Sequence, residues 1–491
     1  MDETATSEDS ASSARDWIDP FCPLLSDRTR IVSGDPPRPL PASRGTTSAL
    51  AQFAEEGAPF SPVASIDGVD AGLEEALAAA AEIIGNWRQP LFCGLGTDVA
   101  GARGLTRLAL RCGAIMDHAH GETMTQALRA LQDRGGFTCT LSEVRNRADL
   151  IVCVGIDPSR LVPDFFQRCG FGEAVPGVPA KRTVVFLKSR DMEEQREEQR
   201  EEQRDGGGGG GGDGTRAEAE AGVAGADCQV LDLKGSDLEQ VLAELNAACS
   251  GRHLPRAGTD WMAIKSLAEK LRAASYAVLV YAPAHFPGEH RALLLEALGR
   301  IVKTLNTTGR AGAFALGDAD GAATVSQTAT WMTGLPLRTA LHAGGFDHDP
   351  HRFGAARLLA DGAVDGVLFV SSFSASLALP DLPAEPPPLV VLGHPAMASR
   401  LRQQAGIEPR VFIAVSTPGV NAPGHLFRSD GGIVLALKPF ASSSLPSVAE
   451  VAGRLLGLLG TAIGPSGTAP GPGENAAGPG ETVLGPGEPA S

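Results

Sequence analysis

The sequence predicts an α/β fold of two lobes, each with mainly parallel sheets flanked by helices. Three observations predict it. Short apolar runs ending at Val154, Val280, Val370, Leu392 and Val415 read as strands covered on both faces. Segments with apolar residues at helical spacing lie between them. Strand and helix alternate along most of the chain, the order that builds parallel sheets with helices on both sides.

The elements follow in order. Leu73, Leu77, Ala80, Ala81 and Ile84 recur at helical spacing and stop at Gly85. Pro90-Leu91-Phe92-Cys93 reads as a buried strand, Val99 to Cys112 as a helix closed by Gly113, Ala114-Ile115-Met116 as a short strand, and Gln126 to Leu131 as helical. Strands are expected at Asp149–Gly155, Lys181–Lys188 and Cys228–Leu233, then helices at Asp237–Ala248 and Trp261–Ala274. A strand at Tyr276–Tyr281, a helix at Glu289–Asn306 and strands at Val364–Val370, Pro388–Leu392 and Val411–Val415 complete the alternation. These segments divide the chain into a polar, acidic leader (1–16), a cysteine-bearing loop segment (17–44), a first lobe (45–190), a second lobe (223–440) and a C-terminal helix (441–465). Residues 191–222, where Glu-Glu-Gln-Arg repeats run into seven consecutive glycines, read as a low-complexity surface insertion, because the runs on either side both look like strands of one sheet. The Gly-Pro-Gly-Glu repeats of 466–491 read as a disordered tail.

Composition narrows the function. The chain has 491 residues, 43% hydrophobic and 20% charged, with a formal charge of −16. Nucleic acid and anionic membrane surfaces need clustered Lys and Arg, so neither is an expected partner. The N-terminal Met-Asp-Glu-Thr-Ala stretch lacks a basic region and an apolar core, which excludes a secretory signal, and no apolar run approaches the ~20 residues that span a bilayer. The eight cysteines are scattered without paired spacing, as expected of reduced thiols in the cytoplasm.

Three groups of residues bear on chemistry. Gly94-Leu95-Gly96-Thr97-Asp98-Val99-Ala100-Gly101 is a glycine-rich turn between strand and helix; its G-x-G-x4-G spacing departs from the dinucleotide fingerprint, and a tight turn with Asp98 or Thr97 capping the helix is the better reading. Asp117-His118-Ala119-His120-Gly121-Glu122 sets two imidazoles and two carboxylates after a strand, a conceivable zinc or acid/base site without an identifiable third ligand. His342, His348 and His351, with Asp347 and Asp349, read as a polar loop. No nucleophile elbow, catalytic triad or Walker loop is present.

The N-terminal loop Trp17-Ile18-Asp19-Pro20-Phe21-Cys22-Pro23-Leu24-Leu25-Ser26-Asp27 has the outline of an iron–sulfur loop. A cubane needs a closely spaced set of thiolates such as C-x2-C-x3-C. Here Asp19 and Ser26 stand where sulfur belongs, and only Cys22 remains. The other reading of Cys22 is a small buried residue beside Phe21 and Leu24.

Six segments together, in order, resemble the B subunit of formylmethanofuran dehydrogenase, in the molybdopterin oxidoreductase superfamily. They are Phe21–Asp27; Asp117-His118; Ala130–Asp133; Cys139–Val152; Gln327 with Thr330–Pro336; and Pro418–Gly424 leading to Phe427–Gly432. The resemblance covers most of residues 17 to 440 and implies a molybdopterin-oxidoreductase-like fold. It also implies a cubane cluster in the N-terminal loop and a tungsten or molybdenum bis-pterin on a Cys or selenocysteine just after Asp117-His118. Yet Ala119 to Gln132 contains no Cys, so this chain is expected to bind neither cofactor and to have no catalytic, cofactor or metal residues of its own. That pattern of loss resembles the B subunit of the bacterial formyltransferase/hydrolase complex. The resemblance then implies a partner role beside A, C and D subunits, in a complex that moves a formyl group from tetrahydromethanopterin to a furan carrier and releases formate during formaldehyde oxidation. On that reading Asp19, Cys22 and Ser26 are a vestigial cluster loop, and Asp117, His118, His120, Gln327, Asn421 and Arg428 line a former cofactor cleft or an interface. Two alternatives stand beside it: an oxidoreductase subunit with unusual ligands, and an unrelated α/β enzyme using His118 and His120.

Overall fold

The computed structural model describes residues 14–461 apart from 33, 35, 36, 42, 55–62, 191–222, 234, 253, 255–257, 259, 289, 318, 343 and 404–406. The expected leader, insertion and tail therefore fall largely or wholly outside the described residues. The chain enters through an antiparallel three-stranded sheet of β1 (Arg15–Trp17), β2 (Thr29–Val32) and β3 (Arg38–Leu40). A hairpin of β4 (Ala64–Ile66) and β5 (Val69–Ala71) leads through the Leu73–Gly85 helix to β6 (Pro90–Gly96), the Val99–Cys112 helix and β7 (Ile115–Met116). The chain then leaves to build a second sheet from β8 (Leu150–Val154), β9 (Arg182–Ser189), β10 (Ala226–Leu233), β11 (Ala277–Tyr281) and β12 (Ala311–Ala315). It returns with β13 (Thr339–His342), β14 (Gly345–His348), β15 (Gly366–Ser371), β16 (Leu389–Gly393) and β17 (Val411–Ala414), and closes with the hairpin β18 (Gly424–Phe427) and β19 (Val434–Leu437) before the Val448–Thr461 helix.

Among the described residues the second sheet has five strands in the order β10-β9-β8-β11-β12, all parallel, and the larger sheet nine, in the order β14-β13-β7-β6-β15-β16-β17-β4-β5. Its central strands β7-β6-β15-β16-β17 are parallel, and an antiparallel hairpin borders each side. Both sheets are covered on both faces, as their continuous apolar strands require. The Leu73–Gly85, Val99–Cys112 and Val448–Thr461 helices pack on one face of the large sheet, and the Ala355–Ala360 and Met397–Gln403 helices on the other. Three helices, Leu238–Cys249, Trp261–Ala273 and Arg291–Leu305, cover one face of the second sheet. Cys22, Leu24, Val144 and Phe165 pack against its other face. Among the described residues no helix is long and apolar enough to cross a membrane.

Strand pairing divides the chain differently from the expected lobes at 45–190 and 223–440. β8 and β9 join β10–β12, whereas β13–β17 return to the sheet of β6 and β7. An apolar run buried on both faces carries no mark of which strand will lie beside it, so sequence order was a poor guide to sheet membership. The strands on either side of 191–222 do share a sheet: β9 and β10 pair in parallel over eight residues. The N-terminal sheet, β12, β14, the β18–β19 hairpin and the Ala322–Thr333 helix had no clear periodic signal. The helix expected at Gln126–Leu131 begins earlier, at Gly121.

Candidate functional site: the N-terminal loop and the carboxyl edge of the large sheet

The loop at 19–26 is closed on itself. The Asp19 amide donates to the Ser26 carbonyl at 3.1 Å and the Leu25 amide to the Cys22 carbonyl at 2.8 Å, with Leu25 in the left-handed region. The Asp19 carboxylate accepts from the Phe21 amide at 2.9 Å and from Thr46 Oγ1 at 2.6 Å. Ser26 Oγ donates to Asp164 Oδ2 at 3.3 Å. Burial, with the negative charge of Asp164 nearby, lifts Asp19 to about 6. Burial and then Asp19 push the Cys22 thiol to about 12, so it stays protonated. One protonated thiol, with a carboxyl and a hydroxyl already committed to other partners, does not fit a cubane, which needs several thiolates. The loop instead joins the two sheets. Trp17 Nε1 donates to Gly419 O at 2.6 Å and the Ser429 amide to Pro23 O at 3.1 Å, both on the large-sheet side. Arg168, beside the second sheet, donates to Leu24 O at 3.1 Å.

Ligands of open parallel sheets gather at the carboxyl ends of strands where the strand order reverses. In the large sheet that point lies between β6 and β15. There Gly94 and Leu95 both have positive φ, and a Cβ on Gly94 would stand 2.6 Å from the Val370 carbonyl. The kink flips the alternation of β6: Leu91 and Cys93 face one layer, while Phe92 and Leu95 face the other. Asp98 caps the helix that follows, as the sequence suggests, with Oδ1 accepting from the Gly101 amide at 2.9 Å. Its Oδ2 accepts from the His425 amide of the closing hairpin at 3.2 Å. The chain packs tightly over this edge. A Cβ on Gly321 would lie 2.5 Å from the Thr97 carbonyl, and one on Gly424 2.6 Å from Pro418 Cβ.

Beside it, Asp117 is buried after β7. Its Oδ1 accepts from the His118 amide at 3.0 Å and Arg338 Nε at 3.3 Å, and its Oδ2 from the Ala355 amide at 2.9 Å. Burial raises its carboxyl, against the pull of the Arg338 guanidinium. Arg338 also donates to Glu122 at 3.0 Å and Pro350 O at 2.8 Å. His118 Nδ1 accepts from the His120 amide at 3.0 Å, which puts its proton on Nε2. Burial, then the neighbouring His120, lowers it to about 4. His120 Nε2 meets Asp320 Oδ2 at 3.1 Å. The two rings stand on a turn rather than on a strand, their centroids 5.4 Å apart. At the end of β16, His394 is likewise buried and lowered to about 4.

The remaining candidates do not converge on this group. Gln327 sits half-buried on the Ala322–Thr333 helix. Asn421 Oδ1 accepts from the Thr417 amide at 2.7 Å. Arg428 makes a paired contact with Asp430 at 2.8 and 2.7 Å, and Asp430 in turn accepts from the Leu141 amide. His342 and His348 lie on the β13–β14 hairpin rather than in the expected polar loop, and His351 follows on the turn at Asp349. Among the described residues no group of three or more His, Cys, Asp or Glu is placed to hold a metal. Sequence reading missed Thr46, Asp98's second bond, Asp164, Asp320 and Arg338. Only Asp320-Gly321, a turn dipeptide, carried a local signal.

Fold and site together define an α/β protein of mainly parallel sheets whose ligand-prone edge is packed with its own side chains. No protein-family model matches the chain. Its fold is that of a chain in the crystal structure of the formyltransferase/hydrolase complex FhcABCD from Methylorubrum extorquens with methylofuran, at TM-score 0.62 and 24% identity, covering 81% of this chain and 99% of that one. The chain is a homologue of the B subunit of the formyltransferase/hydrolase complex Fhc of the same organism, 27% identical over 391 residues, 80% of this chain and 95% of the relative.

Proposed function

We propose that this chain is the non-redox B subunit of a formyltransferase/hydrolase complex, working in the cytoplasm beside A, C and D subunits. The complex takes the formyl group from tetrahydromethanopterin to a furan carrier and releases formate, in formaldehyde oxidation. This chain supplies structure and docking surface rather than turnover. The observation that carries the reading is the homology along nearly the whole relative, joined to a cluster loop in which Asp19 and Ser26 are bonded to Thr46 and Asp164 instead of standing ready as ligands. The same loss of ligands supports a descent from the B subunit of formylmethanofuran dehydrogenase without its cubane and its tungsten or molybdenum pterin. The test is to express the chain alone and with its three partner subunits, and to measure formate released from the formylated carrier. Activity only on reconstitution is expected, with iron, tungsten and molybdenum absent from the purified chain. Formate production by the isolated chain at the rate of the complex would overturn the reading.

A further inference from the structure

A cavity of about 310 Å³ opens on the face of the second sheet near its β9–β10 edge, apart from the site above. Phe166, Phe171 and Phe186 form its apolar wall. Phe166 meets Phe171 edge-on with centroids 5.6 Å apart and Phe186 at 6.1 Å, so the rings hold one another in place. The outer support is fixed as well. The Arg182 guanidinium lies 4.9 Å from the Phe171 ring and donates to the carbonyls of Cys169 and Gly170. The polar side of the cavity is set by Asp157, whose Oδ1 accepts from both the amide and the hydroxyl of Ser159. Those two bonds fix the carboxylate and leave its Oδ2 without a protein partner among the described residues. Aromatic rings and a carboxylate held by Ser159, lining one cavity, are complementary to a ligand with an apolar body and a single positive charge. Ring faces attract cations, and a charged donor on a carboxylate makes a strong hydrogen bond.

We propose that this cavity binds a small organic cation with a flat apolar body, an arylalkyl amine in its ammonium form, with the ring against Phe166 and the ammonium on Asp157. The proposal is independent of the formyl-transfer reading. It is tested by titrating the full-length chain with benzylammonium, benzyl alcohol and benzoate in a calorimeter. Saturable binding of benzylammonium is expected, weaker binding of the neutral alcohol by roughly tenfold, and none of benzoate. That comparison needs no variant. Asp157→Asn keeps an oxygen for Ser159 and should cost the amine about the same factor while leaving the alcohol unchanged. Phe166→Leu should weaken both. Absence of saturable benzylammonium binding, equal binding of the alcohol or of benzoate, or unchanged amine affinity in a folded Asp157→Asn chain would each overturn the proposal.

Discussion

Thr46 Oγ1 donates a 2.6 Å hydrogen bond to Asp19 Oδ2, so the Asp19 carboxyl of the N-terminal loop is held by a hydroxyl from the Arg44–Ala54 helix. The carboxyl is buried, and its pKa rises from 3.8 to about 6. Between those two values the folded chain binds more protons than the unfolded one. Stability contributed here is therefore full below pH 4 and falls as pH rises to 6, by about 3 kcal/mol. Asp19→Asn should flatten that stretch of the stability profile, measured as denaturant midpoints from pH 4 to 8. An unaltered profile would refute the assignment.

The buried histidines act in the opposite direction. His118 and His394 are both lowered to about 4 from 6.5. The unfolded chain takes up their protons first, so stability is full above pH 6.5 and is lost as pH falls toward 4, at about 3 kcal/mol for each. Two such losses outweigh the gain at Asp19, and the net effect of acid is destabilising. Replacing either histidine with Gln should reduce the slope of melting temperature against pH in this window.

Cys22→Ser should leave the activity of the assembled complex within about twofold, since a single thiol with no group of metal-ligating side chains about it among the described residues cannot hold a cubane. A large loss of activity accompanied by loss of iron would reverse the assignment of the loop.

Arg338→Met leaves the buried Asp117 carboxylate without its cation, and should cost about 3–5 kcal/mol in chemical unfolding. Adding Asp117→Asn should recover part of that loss. Strict additivity of the two changes would show that the pair is not coupled.

The parallel pairing of β9 and β10 constrains what can be cut between them. The chain leaves β9 at Ser189 and must travel back along eight paired residues to enter β10 at Ala226, a path of about 26 Å. Joining residues 190 and 223 directly leaves too few residues to make it. A flexible replacement of about a dozen residues should fold with unchanged melting temperature, whereas the direct fusion should not. Equal expression and stability of the two would contradict the pairing.

Sequence made most of the parallel strands and most long helices legible because burial on two faces and helical spacing are local signals. Asp98 as a helix cap was equally legible, a short-range bond between a side chain and an amide three residues on. Long-range pairing was not. Nothing near Asp19 announces Thr46 or Asp164, and nothing near Asp117 announces Arg338, more than two hundred residues away. The polar histidine groups were over-read for a related reason. Spacing along the chain groups His118 and His120 after a strand as a conceivable zinc or acid/base pair, but the helix begins at Gly121 and the His118 ring turns inward to accept from the His120 amide.

Thr339 pairs with Met116 and Ala340 with Ile115 across β7 and β13. Everything between those strands is therefore an excursion whose two ends meet. During synthesis the ribosome must deliver the whole second sheet before β13 can complete the large one, so β6 and β7 wait with an open edge on the side that β13 will fill. Such a waiting edge is a template for pairing with another chain. The excursion also carries its own core and has closely spaced ends. Excised between 117 and 338, it is the piece of this protein most suited to fold by itself or to be moved into another scaffold.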